Sequence, residues 1–215
     1  ELLESTAQCI ARQSNFTLLM RDARSLAFAR QAFRCEAALC PDMAFAMDPI
    51  RRHEPRTDLY CLLRTDKERR HDHDAILDAV AQSGLTCSAG DWLQDHHSVA
   101  RRLDRRGRWI WMRRYFGHAL NRAGLRIREQ YARQRLRTGI GHLSTGRRVV
   151  ADRLHAHILC VLLGIEHAVF DSHDGKVAAF HDTWREFLPA SHLLAEPAQL
   201  APLLGAWQTR AAAQG

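Results

Sequence analysis

The sequence predicts an α/β protein built around parallel β-sheets. Short apolar runs alternate with longer segments in which apolar residues recur at helical spacing, the pattern of successive strand–helix–strand units. Several of the short runs end directly on charged residues. The chain has 215 residues, 46% of them hydrophobic, which is enough to bury one large core or two small ones.

The first part of the chain, up to residue 50, shows this alternation on a small scale. Its predicted strands end at Arg21 and just before Pro41, and a polar, proline-bearing linker is predicted at residues 48–55. The predicted elements are two helices, residues 1–13 and 25–33, and two strands, residues 16–20 and 37–39.

The alternation restarts at Asp58 and continues to the end of the chain. Strands are expected where apolar runs are short, and helices where apolar residues recur every three or four positions. The predicted strands are residues 59–63, 85–87, 147–151 and 167–170. The predicted helices are residues 74–82, 128–137, 154–163 and 197–213.

The segment from Arg147 to Gly164 is the centre of this pattern. Val149 and Val150 belong to a predicted buried strand, and an apolar helix follows after Asp152. In an open parallel sheet, the end of such a strand and the start of the next helix form a crevice that favours anions. We therefore expect Arg153 and His155 to lie at a ligand site.

Arg64, Asp66 and Lys67 follow the predicted strand at residues 59–63. Because the carboxyl ends of parallel strands share one edge of the sheet, these three side chains are candidates for the same ligand face. From their position alone, a solvated loop of mixed charge is an equally good interpretation.

The formal net charge is +7, and nearly all of the basic residues are arginines, since Lys67 and Lys176 are the only lysines. Such a surface suits phosphate, carboxylate, anionic lipid or nucleic acid. No helix-turn-helix, zinc-finger or RNA-recognition motif is present, so we predict no nucleic-acid partner. No apolar run approaches the length that spans a bilayer.

An Arg-rich, amphipathic stretch occupies residues 96–140. Trp109 and Phe116 fall on the apolar face of its predicted helix, whereas the arginines lie largely elsewhere. This pattern is typical of a helix at a membrane surface, and equally of a helix that covers a protein core. Gly117 and Gly124 are expected to weaken a continuous helix.

The cysteines and histidines do not form an evident metal site. The six cysteines contain no Cys-x-x-Cys pair, and we interpret them as small buried residues of a reduced, cytosolic protein. Among the 13 histidines, His155 and His157 would point to different faces of one helix. We predict no metal.

Four groups of residues resemble motifs of the polysaccharide pyruvyltransferases, the ketal pyruvyltransferases of exopolysaccharides. They occur in the order in which that family has them, and together they cover most of residues 17–185. The first three groups are Leu19–Asp22 with Ser25, Cys40–Phe45, and Leu62–Glu68. The fourth joins Val149–His155, Gly164–Asp171 and Asp174–Lys176 with Phe180 and Trp184.

The resemblance implies a glycosyltransferase-B-like fold with two Rossmann-like domains. Residues 1–50 would then be the end of an N-terminal domain, residues 57–190 the C-terminal, donor-binding domain, and residues 191–215 a helical tail. The chain begins at Glu1 without an initiator Met, so we expect an upstream part. The oligomeric state is left open.

The chemistry implied is transfer of the enolpyruvyl carbons of phosphoenolpyruvate onto two hydroxyls of a sugar, releasing phosphate, with no further cofactor. By the family pattern Arg21, Arg153 and His155 are catalytic, and Arg21, Arg64, Lys67, Arg153, Leu154, His155 and Lys176 bind substrate. His155 is either a proton donor or a phosphate anchor. The acceptor is a saccharide, with a lipid-linked precursor as one form, and the enzyme is cytoplasmic, with peripheral contact at the inner membrane.

Asp152 and Asp42 are expected to orient their neighbours, because a carboxylate directed at an anionic donor would repel it. Asp174 and Glu166 depart from the family pattern, which has an aromatic residue and a proline there. One alternative is a nucleotide-sugar glycosyltransferase, which would need a carboxylate such as Glu166 or Asp171 for the ribose. The other is a non-catalytic polysaccharide or nucleic-acid binding module.

Overall fold

The computed structural model describes residues 2–66, 69–90 and 117–212. The first of its elements are α1 (Leu2–Ala11), β1 (Thr17–Met20), α2 (Ala23–Ala32), β2 (Glu36–Leu39) and a 3-10 turn (Met43–Ala46). Then follow β3 (Thr57–Leu62), α3 (His73–Gln82), β4 (Cys87–Gly90), α4 (Gly117–Thr145), β5 (Gly146–Ala151), α5 (Leu154–Leu162) and β6 (His167–Phe170). The last are α6 (Lys176–Trp184), a 3-10 turn (Arg185–Phe187), β7 (Ser191–Leu194), a 3-10 turn (Pro197–Gln199) and α7 (Leu200–Ala212).

The strands of the described residues form two parallel sheets, which confirms the predicted α/β class. β1 pairs with β2, and the larger sheet has the strand order β4-β3-β5-β6-β7. In its centre Cys61 of β3 lies opposite Val150 of β5, which lies opposite Ala168 of β6. Because all five strands run in the same direction, the segments that follow β3, β5 and β6 meet at one edge.

Apolar side chains cover both faces of the larger sheet, which explains the continuous apolar runs of β3 and β5. On one face Val150 packs in a cluster with Ile76 of α3 and Trp207 of α7. On the other face Val149 packs in a cluster with Leu143 of α4 and Leu159 of α5. This double burial fixes where β5 ends, and so fixes the start of α5.

The predicted linker runs along the larger sheet and is anchored to it. The backbone N–H of Ile50 donates to the carbonyl of Leu162 at 2.9 Å, and the guanidinium of Arg52 donates to the carbonyl of Gly146 at 2.8 Å. The smaller sheet is also attached to α6, because the indole N–H of Trp184 donates to the carbonyl of Arg21, just after β1, at 2.8 Å. The bond from Trp184 holds the end of β1 against α6, and the other two hold the linker against the larger sheet and α5.

Three predicted elements differ from the structure. The helix predicted at residues 128–137 is part of α4, which continues from Gly117 through Gly124 and Gly141 to Thr145. Packing of Leu136, Ile140 and Leu143 against the core outweighs the intrinsic cost of its glycines. The strand predicted at residues 85–87 lies slightly later, as β4.

The prediction of a helical tail over residues 191–215 is wrong for its first residues, which form a strand. Residues 191–194 form β7, which pairs with β6, so the larger sheet extends past residue 190. Leu194 is buried in the core cluster that contains Trp207, and burial of such apolar side chains favours a strand there. The division of the chain into domains remains a prediction.

The cysteines are less buried than predicted. Cys61 and Cys160 are buried, Cys35 and Cys40 are half-buried, and Cys9 and Cys87 are exposed. Cys87 is exposed although it belongs to a strand, because β4 is the edge strand of the sheet in the described part of the chain.

The membrane-surface hypothesis concerns residues that mostly fall outside the description. Trp109 and Phe116 belong to residues 91–116, which are not described. Among the described helices, none is both long enough and apolar enough to cross a bilayer.

Candidate active site

Asp152, the first residue after β5, joins the ends of β3 and β5. Its carboxylate accepts the backbone N–H of Arg64 at 3.0 and 3.2 Å, and the ring N–H of His73 at 3.0 Å. Burial raises the pKa of Asp152, whereas the hydrogen bond from His73 opposes that rise. Both oxygens are engaged by these groups, as expected of a carboxylate that orients its neighbours.

Asp66 brings two arginines together at this edge. Arg64 donates to it from Nε at 2.8 Å and from a terminal nitrogen at 3.1 Å, a bidentate pair. A terminal nitrogen of Arg153 lies 3.4 Å from the same carboxylate oxygen that accepts the second of these bonds. Arg64 and Arg153, which are 89 positions apart in the chain, therefore share one anionic partner.

Asp42 forms a second, similar cluster from the smaller sheet. Its Oδ2 lies 3.3 Å from a terminal nitrogen of Arg21 and 3.9 Å from Nε2 of His155. Its Oδ1 accepts the backbone N–H of Ala44, so Asp42 caps the 3-10 turn that begins at Met43, and this bond fixes the carboxylate. The side chain of His155 is 65% exposed, so it can reach a ligand in the space between the two sheets.

The start of α5 lies between the two clusters. Arg153 has extended backbone angles, φ −127° and ψ 131°, and its side chain does not cap the helix. The first N–H groups of an α-helix have no partner within the helix, and the helix dipole favours an anion near them. The backbone of Leu154 contributes one of these groups, whereas its side chain is buried in the core.

The next strand along this edge, β6, ends in a further group of charges. Asp171 accepts a guanidinium hydrogen bond from Arg70 at 3.1 Å, and the backbone N–H of Ala178 at 3.0 Å. The ammonium of Lys176 lies 3.2 Å from Asp174. Arg70 and Asp171 also border a polar cavity of about 590 Å³ between α2 and α6.

An apolar cavity of about 300 Å³ opens beside His155. Helices α4 and α5 and the 3-10 turn after β2 enclose it, and its lining includes the side chains of Arg135 and His155. The lining residues are Ala44, Met47, Arg135, Leu136, Thr138, Gly139, His155, Ile158, Leu159 and Leu162. A ligand group held there would be apolar and would lie next to the imidazole.

The sequence-predicted residues are thus largely brought to one region. Arg21 and His155 meet at Asp42, Arg64 and Arg153 meet at Asp66, and Leu154 begins α5 between them. Lys176 lies at the start of α6, after the neighbouring strand, and Lys67 is outside the described residues. Their roles in binding and catalysis remain predictions.

Sequence reasoning missed two contributors, His73 and Arg70. Each follows β3 in the chain and pairs with an aspartate that ends a different strand, Asp152 or Asp171. The available signal was the rule that parallel strands end at one edge, applied to the aspartates as well as to the arginines.

The histidines of α5 lie on different faces, as predicted. His155 is exposed, whereas His157 is buried and contacts His167, with Nδ1 of His157 and Nε2 of His167 2.7 Å apart. In the described ranges no group of three or more His, Cys, Asp or Glu side chains is arranged to hold a metal ion.

Comparison with known proteins identifies the family. The model of the polysaccharide pyruvyl transferase family matches residues 1–174. The chain belongs to this family. Pyruvyl transferase 1 of Schizosaccharomyces pombe is 34% identical over 194 residues, which cover 86% of this chain and 43% of that protein. EpsO of Bacillus subtilis, a candidate pyruvyl transferase by its name, is 29% identical over 89% of this chain and 58% of its own length.

The chain therefore spans about half the length of these two curated relatives of the pyruvyl transferase family. A solved structure, that of a functionally uncharacterised protein from Klebsiella pneumoniae, matches with a TM-score of 0.48 and 18% identity, over 87% of this chain and 58% of that one.

Glu166, one of the two positions at which this pyruvyl transferase homologue departs from the expected pattern, lies away from the candidate site. It precedes β6, at the amino end of the sheet, where it accepts hydrogen bonds from Arg148 at 2.8 Å and from Arg210 at 2.6 Å. Despite the opposing effect of burial, these bonds and the one from His192 lower the pKa of Glu166 to about 2. Glu166 is thus a structural anion of this sheet.

Proposed function

We propose that the protein transfers the enolpyruvyl group of phosphoenolpyruvate to a saccharide, which becomes a pyruvate ketal while phosphate is released. The observation that carries this proposal is the grouping of Arg21, Arg153 and His155 at adjoining strand ends of a pyruvyl transferase homologue. The donor has a carboxylate and a phosphate on neighbouring atoms, so it needs cations from more than one direction.

The surroundings of Arg153 suit the anionic end of this donor. The planar guanidinium can bind a carboxylate or phosphate at two points and keeps its charge at any physiological pH. The helix start at Leu154 adds backbone N–H groups on the same side. We propose that Arg64 supports Arg153 through the shared Asp66, and that Arg21 binds the donor from the opposite sheet.

We assign the proton transfer to His155. In the proposed course its imidazolium protonates the methylene carbon of phosphoenolpyruvate, and positive charge develops on the central carbon. A sugar hydroxyl attacks that carbon and loses its proton, and a second hydroxyl then displaces phosphate and closes the ketal. Asp42, 3.9 Å from Nε2, would stabilise the protonated ring and orient it.

We further propose that the acceptor is a lipid-linked precursor of an exopolysaccharide. The apolar cavity beside His155 supports this extension, because an isoprenoid or acyl segment held there would bring its sugar to the imidazole. The proposal also includes a glycosyltransferase-B-like arrangement of two Rossmann-like domains, and a location at the cytoplasmic face of the inner membrane.

Donor specificity distinguishes this proposal from a nucleotide-sugar glycosyltransferase. Glu166 lies at the amino end of the sheet, so it is not placed to bind a ribose at the opposite edge. Asp171 lies at that edge, but Arg70 and the backbone N–H of Ala178 already donate to it. We expect phosphoenolpyruvate, but neither UDP nor GDP, to raise the melting temperature of the intact protein. A rise with UDP or GDP alone would reject the proposal.

The reaction itself is tested by product formation. The intact protein is incubated with phosphoenolpyruvate and a panel of glycans and lipid-linked glycans, and released phosphate and the mass of the glycan are measured. We expect one phosphate per added pyruvate ketal. If phosphoenolpyruvate releases no phosphate with any acceptor of the panel, and the protein binds glycan or DNA at physiological salt, the binding-module alternative is correct.

A further inference from the structure

We propose that Cys87 and Cys61 form a thiol oxidation site, at which a peroxide oxidises Cys87 and Cys61 then closes an intramolecular disulfide. The two sulfurs are 3.6 Å apart, on the adjacent strands β4 and β3. Neither residue belongs to the proposed pyruvyl transfer site, so this inference does not depend on the proposed function.

The strand register places both side chains on one face of the sheet. Cys87 lies opposite Leu59, and Cys61 lies opposite Ala89, so the two cysteines are diagonal neighbours two positions apart. Side chains two positions apart along a strand point the same way. The side chain of Cys87 therefore lies on the same face of the sheet as those of Leu59 and Cys61, which are buried there, but on the edge strand.

The two thiols are unequal in the way that a reactive pair requires. Cys87 is exposed, whereas Cys61 is fully buried. The hydrogen bond from the Cys61 thiol lowers the pKa of Cys87, and the same contact together with burial raises the pKa of Cys61. The thiolate is the nucleophilic form, so Cys87 is the sulfur that attacks and Cys61 keeps its proton until the second step.

The proposed chemistry balances with hydrogen peroxide as the oxidant. The Cys87 thiolate attacks one peroxide oxygen, the O–O bond breaks, and the other oxygen leaves as water after protonation, which leaves a sulfenic acid. Cys61 sulfur then attacks the Cys87 sulfur, its proton passes to the sulfenic oxygen, and a second water leaves. The two thiols lose two electrons in total, and one peroxide becomes two waters.

Closing the bond requires β4 to move toward β3, because the Cα atoms of diagonal neighbours lie about 7–8 Å apart and those of a disulfide usually lie less than about 6.8 Å apart. The sulfurs must approach from 3.6 Å to about 2.05 Å, the length of a disulfide. β4 has four residues and pairs on one side only in the described part of the chain, so it can shift toward β3 more easily than a central strand could.

Peroxide treatment of the intact, reduced protein tests the proposal. After one equivalent of hydrogen peroxide, free thiols are blocked and peptides are mapped by mass spectrometry. We expect a Cys61–Cys87 disulfide with the loss of two hydrogen atoms, reversed by dithiothreitol. Cys87 should react at least about tenfold faster than Cys9, an exposed thiol on α1.

Matched variants separate the two roles. Cys61→Ala and Cys61→Ser should leave Cys87 as a sulfenic acid that dimedone labels, and two variants guard against failure of one to fold. Cys87→Ser should leave Cys61 reduced, and Cys9→Ser should change nothing. The proposal is overturned if Cys87 reacts no faster than Cys9, or if oxidised Cys87 forms no bond to Cys61 in the wild-type protein.

Discussion

At the scale of single residues, each of two aspartates joins two basic side chains that lie far apart in the sequence. Asp42 lies near Arg21 and His155, and Asp66 near Arg64 and Arg153. Like charges held this close repel one another, and a shared carboxylate reduces that cost before any donor binds. The two shared carboxylates therefore hold Arg21, Arg64 and Arg153 in place near the start of α5.

The planar fork of Arg153 is the first feature to test. In Arg153→Lys the charge stays, but the two-point contact with the donor and the reach to Asp66 are lost. We expect kcat/KM to fall about 10- to 100-fold, the equivalent of about 1.5–3 kcal/mol for a charge-assisted hydrogen bond. Phosphate release from phosphoenolpyruvate by the intact protein measures this loss.

Arg133→Lys is the matched control for this substitution. Arg133 is exposed on α4 and pairs with Glu129 one helical turn away at 2.7 Å. The Arg133→Lys substitution should leave kcat/KM and the melting temperature unchanged. Near-normal turnover in Arg153→Lys would remove Arg153 from the donor site, and a large drop in its melting temperature would make its role structural.

The two roles open to His155 differ under substitution. His155→Gln keeps an N–H donor but cannot pass a proton, and His155→Ala removes both properties. If His155 is the proton donor, as we propose, both variants should lose a similar factor in kcat, about 100-fold or more. The pH profile should also lose the limb that belongs to the imidazole.

A phosphate anchor would behave differently. The Gln variant would then keep much of the wild-type kcat at saturating donor, and its KM for phosphoenolpyruvate would rise by the equivalent of about 1–3 kcal/mol. Because His155 is exposed, neither variant should alter the melting temperature, so a kinetic change can be assigned to the site.

At the scale of elements, β5 can sit beside β3 only because residue 146 lacks a side chain. A Cβ on Gly146 would meet the backbone nitrogen of Tyr60 and would lie 2.5 Å from the carbonyl oxygen of Arg148. These are backbone atoms of the central sheet, which cannot move aside. We expect Gly146→Ala to lower the free energy of unfolding by about 1–3 kcal/mol or more, measured by urea denaturation.

Gly141, in the helix just before β5, provides the opposite expectation. No atom outside its own helix lies within 4 Å of its ideal Cβ position. Gly141→Ala should therefore raise the free energy of unfolding by about 0.5–1 kcal/mol, since alanine loses less backbone entropy than glycine in a helix. If Gly146→Ala did not lower the free energy of unfolding, the close approach of β5 to β3 would be wrong.

The same two elements illustrate what sequence patterns can predict. The buried strand at residues 147–151 was predicted because double-sided burial requires a continuous apolar run. The helix before it was predicted too short, because local propensity at Gly139 and Gly141 does not include the packing of Leu143 against the sheet. β7 was missed because four residues carry too little periodicity to separate a strand from a helix start.

At the scale of the whole molecule, the candidate site was predictable as a region but not as a set of contacts. Parallel strands end at one edge, and this rule alone brings Arg64 and Arg153 together. The sharing of Asp66 and Asp42, and the bond from His73 to Asp152, depend on the paths of the loops after the strands. No local pattern of residues determines those paths.

A buried histidine pair links the helix that begins at the site to the sheet beneath it. His167 Nδ1 lies 2.7 Å from the carbonyl oxygen of Ile165, so it carries the hydrogen and Nε2 is the acceptor. His157 Nδ1, 2.7 Å from that acceptor, must therefore donate, which leaves its buried Nε2 unprotonated. Both rings are neutral in this arrangement.

The neutral pair makes stability depend on pH. Burial lowers the pKa of His157 from 6.5 to about 2, with His167 and His181 adding to the shift, and burial lowers the pKa of His167 from 6.5 to about 4. Below pH 6.5 the unfolded chain binds these protons and the folded protein does not. The stabilisation is therefore complete above pH 6.5 and is lost as the pH falls toward the two folded values.

Each histidine should contribute a slope of up to about 1.4 kcal/mol per pH unit to the free energy of unfolding. Between pH 6.5 and 4.5 His71, whose pKa is also lowered by burial, adds to the slope, so the contribution of His157 is the difference in slope between wild type and His157→Gln. The lowered pKa of Glu166 acts below its ordinary value of 4.5. His157→Gln retains an N–H for His167 but cannot titrate, so urea denaturation across that window should give a slope smaller by about 1.4 kcal/mol per pH unit. His173→Gln, at an exposed position after β6, should leave the slope unchanged. An equal slope in wild type and His157→Gln would mean that His157 does not enter the folded protein as a neutral, buried ring.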